Sequence, residues 1–69
     1  MRMETNGENG LPRLINVRVV AEALGLSKSA IYSLVHDGDL TAVAIGRTLR
    51  FDPRDIRRFV ESRRTGDAR

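Results

Sequence analysis

Sixty-nine residues with a formal net charge of +3 make one small domain, with no room for a second core. The chain has no cysteine, which excludes disulfides and thiolate metal sites and makes a reducing cytoplasm the simplest setting, and its one histidine cannot by itself supply a metal site. No apolar run approaches the roughly 18 residues of a membrane span, and the first residues lack the apolar core of a signal peptide.

In chain order, residues 1–12 are polar and carry Asn-Gly twice (Asn6-Gly7, Asn9-Gly10), which predicts a disordered lead-in. The folded domain is expected over residues 13–64. Asn16 is the natural cap of a first helix from about Val17 to Leu24, whose Val17, Val20, Ala21 and Leu24 recur at i, i+3, i+4 and i+7. Ile15 stands five residues before Val20, the spacing of a hydrophobic staple. Gly25 ends this helix, and Leu26 is expected to plug the angle between it and the next one.

The second helix starts at the N-cap Ser27 and stops at Gly38. Ile31, Leu34 and Val35 give it one apolar stripe, while Ser29, Tyr32, Ser33 and His36 gather on the opposite side. Those four are small or hydrogen-bonding groups without a long acidic side chain among them. That is what a helix needs to lie in the major groove of DNA.

After Gly38 the period falls from 3.6 to 2. Val43 and Ile45 alternate with alanines, Gly46 interrupts, and Leu49 and Phe51 alternate with Arg50, which predicts a hairpin. A three-residue loop, Gly46-Arg47-Thr48, would pair Ile45 with Leu49 and Val43 with Phe51. All four would then face the core, with Ala44 and Arg50 pointing out. A two-residue loop at Gly46-Arg47 would mix polar and apolar residues on one face, so the longer loop is expected. Asp52, Pro53 and Asp55 then form a strong helix start, followed by Ile56, Phe59 and Val60 as a buried stripe. Residues 65–69 are expected to fray. The order is helix, turn, helix, β-hairpin, helix: an α+β, mostly helical, small winged helix-turn-helix.

Charge is unevenly spread. Residues 1–10 carry Arg2 against Glu4 and Glu8, and in residues 11–40 Arg13, Arg18 and Lys28 balance Glu22, Asp37 and Asp39. Residues 41–69 hold eight arginines against Asp52, Asp55, Glu61 and Asp67, net +4. The planar guanidinium suits phosphate, so the excess beyond the second helix fits a backbone-gripping region. The plainer alternative is a solvated basic helix. Lys28, Arg47, Thr48 and Arg50 are the candidate phosphate or groove contacts, and Ser29, Tyr32, Ser33 and His36 the candidate readers of the major groove. Arg54, Arg57 and Arg58 are expected to divide between phosphates and ion pairs with Asp55 and Glu61.

The run Val20-Ala21-Glu22-Ala23-Leu24-Gly25-Leu26-Ser27-Lys28-Ser29-Ala30-Ile31-Tyr32 resembles the opening of the excisionase-like branch of the MerR superfamily. Asp37 to Arg47 continues the likeness, as does Leu49-Arg50-Phe51 before an Asp-capped helix, so that it spans roughly Leu14 to Ser62. The resemblance implies a second helix in the major groove and a hairpin wing along the backbone or minor groove. It also implies cooperative binding by adjacent copies, DNA bending, and integrase as a partner. The sequence departs from the pattern at Ser33 and Ala44, where relatives often carry basic residues.

Three functions are expected to compete. One is a recombination directionality factor that directs a phage or plasmid integrase, the second a small MerR-like transcriptional regulator, and the third a protein-interaction module without DNA binding. No Gly-rich phosphate loop, carboxylate pair or nucleophile–base set suggests an enzyme, and no cofactor is expected. The long C-terminal coiled-coil helix of larger MerR regulators is not seen in these residues, so no small-molecule effector is expected.

Overall fold

Asn16 opens the first helix, α1 (Val17–Leu24), where its side-chain oxygen accepts from the Val19 N–H at 3.0 Å. Ser27 opens α2 (Lys28–His36) in the same way, its hydroxyl oxygen accepting from the Ala30 N–H at 3.1 Å. Each helix closes on a left-handed glycine, Gly25 at φ 70° and Gly38 at φ 82°. In both, two backbone N–H groups fold back onto the last carbonyls, from Gly25 and Leu26 to Glu22 and Ala21, and from Gly38 and Asp39 to Val35 and Leu34. A hairpin of β1 (Val43–Ile45) and β2 (Thr48–Arg50) follows, then α3 (Pro53–Ser62) on the N-cap Asp52 with Pro53 in its first turn. The structure, a computed structural model, describes Leu11 and residues 13–65. Most of the expected lead-in and tail therefore lies outside the described residues. The element order is that of an α+β winged helix.

One core joins all these pieces. Val20, Ile31 and Phe51 are fully buried, and Ala21, Leu40 and Ile56 nearly so, with Ile15, Val17, Leu24, Leu34, Val35, Ala42, Leu49 and Phe59 packed around them. The apolar stripes of the three helices meet here, as their spacing predicts. The segment before α1 is tied in as well: Ile15 and Phe51 exchange both backbone hydrogen bonds, at 2.9 and 2.8 Å. This bridge adds a third, one-residue edge to the hairpin.

Two expectations are corrected. The hairpin has the two-residue loop: Ile45 pairs with Thr48, Ala44 with Leu49 and Val43 with Arg50. Gly46 takes φ 62° at the first loop position, as both primed hairpin turns require of that residue. Relative to the expected pairing β1 is turned over. Ala44 shares the face of Leu49, and Val43 and Ile45 share the outer face with Thr48 and Arg50. The core accepts this because Leu49 of β2 and the fully buried Phe51 just after it supply the bulk, with the small Ala42, just before β1, packed against the same cluster. Thr48 accordingly lies in β2 and not in the loop. The second correction is Leu26, which is 42% exposed and plugs nothing. The left-handed Gly25 reverses the chain there and the Leu26 N–H is held to Ala21, so that the side chain turns outward. Val20, Ala21 and Ile31 supply the buried contact between the helices instead.

Candidate nucleic-acid interface

The α2 cap and stop determine which side chains α2 offers to solvent. At 100° per residue Ser29, Tyr32, Ser33 and His36 fall within an arc of about 100°, opposite the buried Ile31 and the half-buried Leu34 and Val35. All four are exposed, Tyr32 by 47%. The ring of Tyr32 is therefore not part of the core, and its hydroxyl is free to reach a ligand. Lys28 is exposed too, but it sits off that arc, in the first turn on the Val35 side. It flanks the polar face and does not belong to it.

The wing contributes cations. Arg47, at the hairpin tip, and Thr48 beside it are exposed, and Arg50 is half-buried on the outer face opposite Val43. The Arg50 guanidinium donates a 3.4 Å hydrogen bond to the carbonyl of its neighbour Leu49. Between Thr41 and Phe51 the sequence holds two arginines and no acid. Among the described residues no carboxylate lies within salt-bridge distance of Lys28, Arg47 or Arg50.

Helix α3 behaves differently. Arg54 forms a fork on Asp52, closest at 2.7 Å, Arg58 reaches Asp55 at 2.8 Å, and Arg64 reaches Glu61 at 2.8 Å. Arg63 lies 3.4 Å from Asp39 and 5.0 Å over the Phe59 ring, tying the end of α3 to the loop after α2. Hydrogen bonds from the Arg54 side chain, and then from its backbone N–H, hold the Asp52 carboxyl below the usual carboxylate range. The same pairing raises Arg54 further above its ordinary value. Of the three arginines expected to divide between phosphates and ion pairs, Arg54 and Arg58 are paired, and Arg57 is exposed without a described acid partner. Among the described residues, the arginines of α3 are thus mostly paired, Arg57 excepted, and those of the wing are not.

Sequence reasoning missed the outer face of the hairpin. Ile45 is 55% exposed there, beside Arg47 and opposite Thr48. The signal that could have found it was Gly46, standing first and not last in the loop. Among the described residues there is no group of His, Cys, Asp and Glu able to hold a metal ion, and no helix is long and apolar enough to cross a membrane.

Two curated proteins of Mycobacterium tuberculosis, from strains CDC 1551 / Oshkosh and ATCC 25618 / H37Rv, are each 34% identical to the chain over 56 residues. The match covers 81% of this chain and 72% of each relative, and both relatives carry the name "putative DNA-binding protein". No solved structure matches the chain significantly. A model of the helix-turn-helix domain family matches residues 14–64, which take in all three helices and the hairpin, and the chain belongs to that family.

Proposed function

We propose that this chain is a sequence-preferring double-stranded DNA-binding protein with α2 in the major groove and the wing along the backbone. The observation that carries the reading is the separation of charge: an uncharged, exposed polar face on α2 and wing arginines without an acid partner among the described residues, against an α3 whose Arg54 and Arg58 are both paired. The names of the mycobacterial relatives support it. Lys28, Arg47 and Arg50 grip phosphates, which supplies register and most of the salt-sensitive affinity. Ser29, Tyr32, Ser33 and His36 meet base edges, and Thr48 meets the backbone beside Arg47. Short side chains on the reading face give modest discrimination per copy, so adjacent copies or a partner protein sharpen site choice.

Within that class the role we favour is an excisionase-type directionality factor of the MerR superfamily, binding and bending attachment-site DNA for an integrase in the cytoplasm. It rests on the resemblance over Leu14 to Ser62. Footprinting over the DNA flanking the chain's own gene, with a salt titration, tests the binding reading; an absence of protection at about 50 mM salt would refute it. A reconstituted excision reaction tests the role. Binding without any stimulation of excision leaves a small transcriptional regulator using the same surface.

A further inference from the structure

The hairpin register places one large aliphatic side chain where a phosphate-gripping wing has no use for it. Ile45 is 55% exposed, pairs with Thr48, and is followed directly by Gly46 and Arg47 at the tip. A Cβ built on Gly46 would meet nothing within 4 Å, so no packed neighbour crowds the turn in that direction. The flanking cations, Arg47 and Arg50, have no described acid partner. We propose that Ile45 is an apolar wedge that enters the minor groove of duplex DNA from the wing tip, against the deoxyribose walls, while Arg47 and Arg50 hold the phosphates on either side.

The inference rests on the DNA-binding reading above and adds a residue and a groove to it. The minor groove is about 6 Å wide, and a tip made of one glycine and one branched side chain presents little bulk to it. The walls of that groove are largely sugar C–H surface, which matches isoleucine and not a charged group. An aliphatic side chain pushed between base steps opens them and bends the duplex toward the major groove. Ile45 therefore contributes to bending and affinity without contributing to the salt dependence, because it neutralises no phosphate.

The test uses the full chain and a duplex that it enriches from a random-sequence pool, labelled at both ends to report bending by energy transfer. Ile45→Thr keeps the β-branched shape and removes the apolar character; Ile45→Val keeps both. Ile45→Thr is expected to bind about fivefold more weakly and to bend the duplex less, with the salt slope and melting temperature of the wild type. Ile45→Val is expected to restore bending. A wild-type chain that binds and bends DNA, with Ile45→Thr indistinguishable from it, overturns the wedge alone. A wild-type chain that enriches no duplex overturns the binding reading together with it. An Ile45→Thr defect that disappears when only one copy occupies the duplex assigns Ile45 to contact between copies, and also overturns the wedge.

Discussion

Arg47 and Arg54 carry the same charge and opposite commitments. Arg54 is clasped by Asp52 through several hydrogen bonds, whereas Arg47 stands on a glycine turn with no described acid in reach. Exposed pairs of the first kind add little stability, but they remove a cation from the pool available to phosphate. Arg47→Ala is therefore expected to weaken binding to all duplexes alike and to lower the slope of log K against log salt by about one unit. A change of base preference at constant slope would show instead that the wing reads bases. Asp52 predicts a pH effect. Its folded carboxyl titrates below the ordinary value because Arg54 bonds its charged form. Its contribution to stability is thus present above the unfolded value of about 4 and is lost as the pH falls through the lower folded value. Asp52→Asn keeps a cap but loses the Arg54 fork. Its melting temperature is expected to lie below that of the wild type at about pH 7, and the gap to close below about pH 4. A gap that stays constant with pH would show that the charge on Asp52 is irrelevant to stability.

The helices were legible from the chain because their signals are local. Asn16, Ser27 and Asp52 lie within three residues of the N–H groups they cap, and Gly25 and Gly38 end α1 and α2 where the apolar period breaks. The hairpin was legible in its existence but not in its register. Counting faces favoured Val43 and Ile45 as core residues. That count could not know that Leu49, Phe51 and the helices already fill the space, so that Ala42, just before β1, is enough. The Ile15–Phe51 bridge was invisible for a similar reason, since it joins residues far apart in the chain and leaves no periodic trace. The exposed polar face of α2 was legible because exposure on a helix follows its period, which no distant contact has to decide. Gly46 now allows the register to be tested. Its φ of 62° is strained for a side chain, although a Cβ would touch nothing. Gly46→Ala is expected to cost about 1 kcal/mol in denaturant unfolding, and Gly46→Asn less, because asparagine tolerates the left-handed region. Equal stability of all three proteins would argue that the loop is not the tight turn described here.

At the scale of the molecule, a single core makes α2 and the wing one cooperative unit. Ile31 of α2, Val20 of α1, Ile56 of α3 and Phe51 beside the wing bury one another, and Phe51 also anchors Ile15 through two backbone hydrogen bonds. A chain of this size has few contacts to spare. Truncating Phe51 to alanine should cost about 3–5 kcal/mol, a large part of a total that is about 5–15 kcal/mol for ordinary domains. That variant is expected to be largely unfolded at room temperature. Phe51→Leu loses less volume and is the informative change. At a cost of about 1 kcal/mol it should lower the melting temperature by about 4–8 °C. The chain offers a probe of α2 by itself, since Tyr32 is its one tyrosine and it has no tryptophan. Melting followed by Tyr32 fluorescence and by far-ultraviolet circular dichroism is expected to give one midpoint, and Phe51→Leu should move both signals together. The reason is mechanical: α2 is held by Ile31 alone among its fully buried residues, and Ile31 rests on the same cluster as Phe51. Two separated midpoints would mean that α1 and α2 keep their structure after the wing and α3 let go. The relative placement of α2 and wing, on which the proposed simultaneous engagement of groove and backbone depends, would then not be fixed by the fold.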